Sequence, residues 1–386
     1  MEEPRILLVG NYPPDAQNSM LRYVEMLRDG LRARGREVET IFPEPCLNRF
    51  RGHQQGAAKW AGYIDKFLLF PLRLRRRIEA LADRPLVVHV CDHSNAPYLW
   101  WLNGNHHLIT CHDLLAVRAA LGEYPQHPVR WTGRLFQKMI LTGLSRARHC
   151  VCVSAQTRLD LRRLTALPEW GVEVIPHALN YPFRPMPPEE ARLLLARHPA
   201  FSSAGGGPFR FLLHVGTEVW YKNRSGLLRI YAGLCRLRSD APPLVLVGPP
   251  LPTRDQEYLI RSGLENRVRA AGFLDGEALR AAYSSATALL FPSLAEGFGW
   301  PVLEAMACGC PVATSSRPPM TEVGGDAAAY FAPERPAEAA MTVALLLDED
   351  PATRSRRVER GLRRAAAFSQ EVMLDRYEAA YRAAAE

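Results

Sequence analysis

The feature of this sequence that most constrains its fold is the alternation of short apolar runs with longer amphipathic stretches. Each apolar run has the length and composition of a buried strand, and stretches such as 20–34 carry apolar residues at helical spacing. This alternation is typical of βαβ units around a parallel sheet. In the first half of the chain the predicted strands are 5–10, 37–42, 85–90, 107–113 and 149–154.

The alternation stops once and then resumes. Residues 181–201 contain five prolines and are followed by the sequence SSAGGGP, a composition that is typical of a linker. A second set of predicted strands comes next, at 209–216, 243–248, 268–274, 286–293 and 311–315. We therefore predict an α/β protein with two Rossmann-like, doubly wound domains that face each other across a cleft.

The domain boundaries are predicted from this pattern. The N-terminal domain is expected to span 1–185, the linker 186–208 and the C-terminal domain 209–365. The last helix, 366–386, is expected to cross the seam and pack on the N-terminal domain. A length of 386 residues agrees with two domains, because a single core rarely grows beyond about 250–300 residues.

Charge and composition narrow the class of protein. The net charge of +8 favours an anionic partner. No run of 18 apolar residues occurs, so no membrane-spanning helix is predicted, and the start MEEPRILLVG has acids where a signal peptide has bases. The eight cysteines lie scattered in predicted strands and helices, which indicates free thiols and a cytoplasmic location.

The segment 294–312, LAEGFGWPVLEAMACGCPV, combines two carboxylates with a glycine turn and a short helix. Glu296 lies in the loop that leaves a predicted strand, and Glu304 lies one turn inside the helix. The two glycines between them allow a ligand to approach the backbone closely. The amino end of the helix offers unpaired N–H donors, which hold phosphate well. Carboxylates accept hydrogen bonds from paired hydroxyls, so the pattern favours a ligand with both sugar and phosphate.

The longer segment 291–315, FPSLAEGFGWPVLEAMACGCPVATS, resembles the E-x7-E signature of the retaining glycosyltransferases of family 4, which have the GT-B fold. The segments 212–231 and 268–293 resemble the family's donor domain, and 368–381 resembles its final helix. The amino-terminal half is similar to the family in pattern only.

The resemblance implies a role for each matching residue of the second half. Glu304 would bind the ribose hydroxyls, Glu296 the hydroxyls of the transferred sugar, and Lys222 the diphosphate. Thr217 stands where the family commonly has arginine, and Arg224 is a candidate source of the missing positive charge. The remaining donor-binding candidates are Gly297, Phe298, Gly299, Trp300, Asn223, Phe273 and Leu274.

In the amino-terminal half, the segment 110–114, TCHDL, resembles the strand end where the family has a histidine beside the sugar. His112 would then join Glu296 and Lys222 as a catalytic candidate, and the alternative is a satisfied core histidine. A paired glycine of many relatives is replaced here by Asn18 and Ser19. The acceptor-side candidates are Asn18, Ser19, Asp92, His93 and Asn95, and ordinary turn chemistry is the alternative for the last three.

Two basic amphipathic stretches, 59–81 and 127–148, allow two interpretations. They are either a surface that rests on anionic lipid or ordinary helices that cover the sheet with snorkelling bases. No nucleic-acid-binding module occurs. The acidic 348–350 and the cysteine pairs in 150–152 and 308–310 lack the context of a metal site, and we expect no metal or other cofactor.

Together the resemblance implies a retaining, metal-independent glycosyltransferase. It would move a hexose-type sugar from a nucleotide diphosphate sugar to a hydroxyl of a glycan, glycolipid or other glycoside, in polysaccharide or glycoconjugate synthesis at the inner face of the membrane. One alternative is phosphorylase-like or epimerase chemistry on a related donor. A second is a catalytically decayed nucleotide-sugar-binding or peripheral membrane protein, prompted by Thr217 and by Asn18 with Ser19.

Overall fold

The computed structural model describes residues 3–47, 57–202 and 209–386. The chain divides into two compact units: Met1–Asn180 with Gln370–Glu386, and Tyr181–Ser369. Each unit is built on a six-stranded sheet in which every observed strand pairing is parallel. The predicted α/β class with two doubly wound domains is therefore confirmed.

The first unit has the strand order β2-β1-β3-β4-β5-β6. Its strands are β1 (Arg5–Val9), β2 (Val38–Ile41), β3 (Leu86–Val90), β4 (His106–Cys111), β5 (His149–Cys152) and β6 (Val172–Val174). Its helices include α1 (Asn18–Ala33), α2 (Ala57–Ile64), α3 (Phe70–Ala80), α4 (Leu115–Ala120), α5 (Trp131–Leu144) and α6 (Ala155–Leu164). A π-helical turn, Asp65–Leu69, joins α2 to α3.

The second unit has the strand order β12-β11-β10-β7-β8-β9. Its strands are β7 (Leu212–Val215), β8 (Leu244–Val247), β9 (Val268–Gly272), β10 (Ala288–Phe291), β11 (Val312–Ser315) and β12 (Ala329–Phe331). Its helices include α7 (Pro188–Leu195), α8 (Arg224–Leu237), α9 (Thr253–Arg261), α10 (Gly276–Ser285), α11 (Trp300–Ala307), α12 (Met320–Gly324), α13 (Pro336–Leu347) and α14 (Pro351–Ala366).

The chain order of the strands reverses direction once in each sheet. In the first unit this happens between β1 and β3, and in the second between β7 and β10. The loops after these strands separate towards opposite faces of the sheet, which opens a crevice at the carboxyl ends of the strands. The topology therefore gives each unit one preferred place for a ligand.

The segment predicted as a linker is partly an ordered piece of the second unit. Helix α7 lies within 186–208 and packs against α10. Its prolines are compatible with a helix because Pro188 occupies the first turn, where no backbone N–H is needed. The observed second unit accordingly begins at Tyr181 instead of at the end of the linker. Residues 203–208 lie outside the described part of the chain.

The last helix, α15 (Gln370–Ala385), belongs to the first unit, where it contacts α1, β3 and β4. Two buried hydroxyls attach it to the sheet. Tyr381 bonds to Nδ1 of His89 at 2.7 Å, and Tyr377 bonds to Thr110 at 3.2 Å. Within the described ranges, no helix is both long and apolar enough to cross a membrane.

Candidate functional site

The crevice of the second unit contains a partly buried ion pair between two predicted site residues. Lys222 lies in the loop after β7 and Glu296 in the loop after β10, and their Nζ and Oε1 atoms are 2.7 Å apart. Their side chains are only 14% and 9% exposed. The contact is not aligned as a hydrogen bond, so both groups retain hydrogen-bonding capacity for a ligand. The structure thus brings together two residues that are 74 positions apart in the sequence.

The two loops that carry this ion pair are fastened to each other. The backbone N–H of Leu294 donates to the carbonyl of Tyr221 at 2.7 Å, and the Asn223 amide donates to the carbonyl of Pro292 at 3.0 Å. Asn223 adopts the left-handed conformation, with φ of 55°, and a Cβ at Gly226 would collide with its side chain. Asn223 was predicted to bind the donor, and in this structure its amide holds the two loops in register.

Arg224, the first residue of α8, is a second cation at this strand end. It is 6% exposed, and one guanidinium nitrogen donates to the carbonyl of Pro249 at 2.8 Å. Its Nε and Nη2 atoms are buried and have no hydrogen-bond partner in the part of the chain that the structure describes. Burial lowers the pKa of Arg224, although Glu218 and Asp255 oppose that effect. Thr217, by contrast, is exposed.

Two buried residues that the sequence analysis did not select lie near this place. His214 on β7 has its Nδ1 bonded to the carbonyl of Leu290 at 3.0 Å, while its Nε2 has no partner among the described residues. Burial lowers the pKa of His214 to about 3, so the ring is neutral. The Oγ of Ser293, two residues after the end of β10, is also buried and has no hydrogen-bond partner within the described ranges.

Such unfilled polar atoms make the crevice a candidate binding site. A buried donor or acceptor without a partner costs about 1–3 kcal/mol, so a folded protein rarely leaves several near one place. Here Arg224, His214 and Ser293 follow or lie in β7 and β10, the strands between which the sheet order reverses. A ligand with both donors and acceptors would satisfy them. No sequence pattern marks His214, because its isolation depends on tertiary burial.

Glu304 lies on α11, beyond the glycine turn. It is 8% exposed, and the hydroxyl of Tyr283 donates to its Oε2 at 2.8 Å. Burial, and then the neighbouring Glu304, raise the pKa of Tyr283 well above its usual value, so the phenol stays protonated and donates. Tyr283 was not predicted, and it holds the Glu304 carboxylate in one orientation.

The remaining donor candidates lie in two places, the glycine turn before α11 and the end of β9. Phe298 is buried against Trp300 and Phe368, with ring centroids 6.2 and 5.8 Å away, so its backbone is the part that can meet a ligand. Gly297 is half-buried, and Gly299 has φ of 101°, which favours glycine. Phe273 and Leu274 follow β9 at the sheet edge, two strands from β7, and the Phe273 side chain is 76% exposed. That position is separate from the ion pair.

The crevice of the first unit contains a network around Asp92. Its carboxylate accepts from the Asn11 amide at 2.6 Å and from the Ser94 backbone at 2.7 Å, and His93 is 3.3 Å away. The Asn95 amide donates to Asn11 at 3.1 Å. Burial alone would raise the pKa of Asp92, but the histidines and these hydrogen bonds lower it. Asn11 was not predicted, although it lies only two residues after the end of β1.

The His112 ring has both of its nitrogens engaged inside the first unit. Nε2 is 2.8 Å from the carbonyl of Cys91, and Nδ1 is 3.0 Å from Nε2 of His177. Because a carbonyl only accepts, Nε2 of His112 carries the hydrogen and Nδ1 accepts from His177. Burial lowers the pKa of both rings. This matches the alternative of a satisfied core histidine, and any use of the ring by a ligand must break one of these bonds.

Asn18 and Ser19 begin helix α1 on the chain after β1, and Ser19 is exposed. No group of three or more histidine, cysteine, aspartate or glutamate side chains able to hold a metal ion occurs in the described ranges.

Comparison with known proteins places this chain in a family. The model described as Glycosyl transferases group 1 matches residues 202–364, and the one described as Glycosyltransferase Family 4 matches residues 20–181. The chain is 30% identical to the O-antigen chain mannosyltransferase B of Escherichia coli over 64% of this chain and 64% of that protein. It is 34% identical to the MMP alpha-(1->4)-mannosyltransferase of Mycolicibacterium hassiacum over 40% and 38% of the two chains. The matches thus span less than two thirds of these relatives' lengths.

A solved structure agrees at the level of the fold. The sucrose-phosphate synthase of Thermosynechococcus elongatus superposes with a TM-score of 0.76, at 22% identity and with 98% of each chain covered. The two family models together account for both units, and the resemblance seen around Glu296 and Glu304 agrees with them. The chain therefore belongs to the family 4-like glycosyltransferases of the GT-B fold.

Proposed function

We propose that this protein is a retaining, metal-independent hexosyltransferase that moves mannose from a nucleotide diphosphate sugar to a hydroxyl of a growing polysaccharide. The observation that carries the proposal is the Lys222–Glu296 ion pair beside the unfilled donors of Arg224. In a nucleotide diphosphate sugar, the anionic diphosphate is attached directly to the sugar. Cations bind the diphosphate and carboxylates accept hydrogen bonds from the sugar hydroxyls, so both are needed at adjacent positions. The names of the two mannosyltransferase relatives support mannose and polysaccharide synthesis.

Donor binding would exchange partners within the crevice. Lys222 would turn from Glu296 to the diphosphate, and Glu296 would then accept hydrogen bonds from sugar hydroxyls. Arg224 would use its free nitrogens for phosphate oxygens, since guanidinium donors match them in geometry. Glu304, held by Tyr283, would accept the ribose hydroxyls. The amides at the start of α11 would line the sugar and the phosphates.

Chemistry would follow from charge stabilisation. The bond between the anomeric carbon and the phosphate oxygen breaks, its electron pair stays on the diphosphate, and the sugar gains oxocarbenium character. Lys222, Arg224 and the amino end of α11 stabilise the departing charge. The acceptor oxygen bonds to the anomeric carbon from the face that the leaving group occupied. The proton of the acceptor hydroxyl passes to a phosphate oxygen of the leaving diphosphate. The reaction therefore needs no protein nucleophile.

The acceptor would be held by polar residues of the first unit. We assign this part to Asp92, His93 and Asn95, with Asn18 and Ser19 on the neighbouring loop. Asn11 fixes the orientation of Asp92 and is a positioning residue. His112 would meet the ligand through its backbone, because both of its ring nitrogens are engaged.

An anionic membrane is the second proposed partner, and a specific surface favours it. We call this surface the apolar face: it consists of exposed residues on the helix that runs from α2 through α3, and on α5. Its members are Trp60, Ile64, Leu68, Leu72, Trp131 and Leu135, with exposures between 40% and 75%. The two helices are adjacent, since the rings of Tyr63 and Phe136 are 5.5 Å apart. Lys59, Arg134 and Lys138 are exposed on the same helices, and Arg130 is exposed directly before α5.

A turnover assay tests the proposed function. Nucleoside diphosphate release would be measured from GDP-mannose and other nucleotide sugars, with mannosylated glycans as acceptors and EDTA present. The proposal predicts release that depends on the acceptor, with an α-configured product from an α-configured donor by NMR. Release without acceptor dependence, or inversion at the anomeric carbon, would refute the proposed reaction. Tight donor binding without turnover would favour the catalytically decayed alternative.

A further inference from the structure

A second group of arginines lies outside the proposed donor site, between α8 and α9. The groove between these helices has a volume of about 300 Å³. It is lined by Ser225, Arg229, Arg254, Asp255, Tyr258 and Arg261. Lys222 and Arg224, the cations assigned to the donor diphosphate, do not line it. We propose that this groove binds a phosphate group, as part of a phosphorylated ligand distinct from the sugar donor.

Helical spacing aims these side chains into the groove. Ser225 and Arg229 are four residues apart on α8, so they share one face of that helix. Arg254, Tyr258 and Arg261 recur at spacings of four and three on α9, which likewise gives one face. The groove is thus formed by two whole helix faces that meet.

The hydrogen bonds inside the groove leave the guanidinium groups available. Asp255 is 5% exposed, and the Ser225 hydroxyl donates to it at 2.7 Å. Arg254 donates to Ser225 at 3.2 Å, while its Nε lies 3.9 Å from Asp255. Arg261 has a distant contact of 3.6 Å with Glu257 on its own helix. Arg229 is exposed and has no ion pair or hydrogen bond within the described part of the chain.

The charge of the groove and the geometry of its hydrogen-bond donors together favour phosphate as the ligand. Three guanidinium groups face one carboxylate, so the groove has an excess of positive charge that an anion would relieve. Guanidinium forks match the oxygens of phosphate, and a half-buried phenol adds a further donor at Tyr258. Three converging forks offer more donors than the two oxygens of a carboxylate accept. The volume of about 300 Å³ fits one or two phosphate groups.

The experiment is a calorimetric titration of the full-length protein with inorganic pyrophosphate in EDTA. The groove variant carries Arg229→Gln and Arg254→Gln, which lie on exposed helix surfaces. The matched control is Arg236→Gln, an exposed residue of α8 that does not line the groove. Lys222→Met removes the lysine assigned to the donor site. Because a hydrogen bond to a charged group contributes about 1.5–3 kcal/mol, the groove variant should bind at least roughly tenfold more weakly.

The results separate the two sites. The proposal predicts two pyrophosphate sites in the wild type: the groove variant weakens one of them, which Lys222→Met and Arg236→Gln leave intact, and Lys222→Met weakens the other. Pyrophosphate binding that depends on Lys222 alone, and is unchanged in the groove variant, would overturn it. If the groove variant loses binding while Lys222→Met changes nothing, the groove stands and the donor-site assignment of Lys222 fails. A parallel titration with phosphatidic acid vesicles shows which kind of molecule supplies the phosphate group. Vesicle binding that is lost in the groove variant indicates a lipid headgroup. Pyrophosphate binding without vesicle binding indicates a soluble phosphorylated ligand.

Discussion

At the scale of single residues, Lys222 and Glu296 are in contact but have different proposed roles. Lys222 would bind the diphosphate of the donor, and Glu296 would bind its sugar. Both side chains are largely buried, so removing one leaves the other charge without its partner. The two residues nevertheless face different parts of the proposed donor. Substitution of each one should therefore change a different binding constant.

Lys222→Met should weaken the binding of the nucleoside diphosphate, because the diphosphate loses a charged partner. A loss of about 1.5–3 kcal/mol corresponds to roughly ten- to a hundredfold in the dissociation constant. Glu296→Gln should leave nucleoside diphosphate binding nearly unchanged and reduce the additional affinity of the sugar-bearing donor. Titration of both ligands into both variants checks this. Equal effects of the two substitutions on the nucleoside diphosphate would contradict the division of roles.

Glu304 combines binding with stability, since it is the acceptor for the buried Tyr283 hydroxyl. Glu304→Ala should destabilise the protein by about 1–3 kcal/mol as well as weaken nucleotide binding. Glu304→Gln keeps an acceptor for Tyr283 and should largely preserve stability. Chemical denaturation and nucleotide titration of the two variants measure these effects separately. Wild-type nucleotide affinity in both would refute the ribose role.

Only part of this residue-level account could be predicted from sequence. Glu296 and Glu304 were predicted because their motif has a recognisable order of strand, glycine turn and helix, and Lys222 was predicted from the family resemblance of its segment. His214, Ser293 and Tyr283 were missed because their importance depends on which buried atoms lack or supply a partner. The two partners of the His112 ring also come from distant positions, and local sequence cannot specify them.

At the scale of elements, strand prediction succeeded where apolar runs were long. The two strands that the sequence analysis did not predict, β6 and β12, have three residues each and lie at sheet edges. Such short runs carry too little pattern to be distinguished from loops. In α15, Met373, Tyr377 and Tyr381 are buried, whereas Val372 is 48% exposed. The helix was predicted correctly, but the hydrogen bonds of its tyrosines required the tertiary structure.

The apolar face is formed by two helices together, so its proposed binding to an anionic membrane depends on both elements. Trp131→Ala combined with Leu135→Ala should reduce binding to vesicles that contain anionic lipid, since both side chains are exposed and would insert into the interface. Trp170→Ala is the control, as Trp170 is 71% exposed and lies outside the apolar face. Vesicle sedimentation measures the difference. Equal binding of all variants would favour the interpretation as ordinary covering helices.

At the scale of the whole molecule, each unit contains a deeply buried neutral histidine. Burial lowers the pKa of His89 in the first unit and of His214 in the second to about 3. The unfolded chain, with a histidine pKa of about 6.5, binds protons that the folded chain does not. Stability from these residues is therefore complete above pH 6.5 and falls as the pH drops below it.

Between pH 6.5 and 5, each of these histidines should cost roughly 2 kcal/mol of stability. His214→Gln removes the titrating ring but keeps a donor for the Leu290 carbonyl, so its stability should depend less on pH. Thermal unfolding of the wild type and the variant from pH 7.5 to 5 measures this. Identical pH dependence of the two proteins would contradict the assignment.

The most direct test of the central claim is nucleotide binding to the crevice of the second unit. UDP, GDP, ADP and TDP would be titrated into the wild type and into Lys222→Met, with EDTA present throughout. The account predicts that one of them binds the wild type clearly more tightly than the others and loses most of its affinity in the variant. Equal affinity in the two proteins, or no binding of any of the four nucleotides, would contradict the donor site built on Lys222, Arg224 and Glu304.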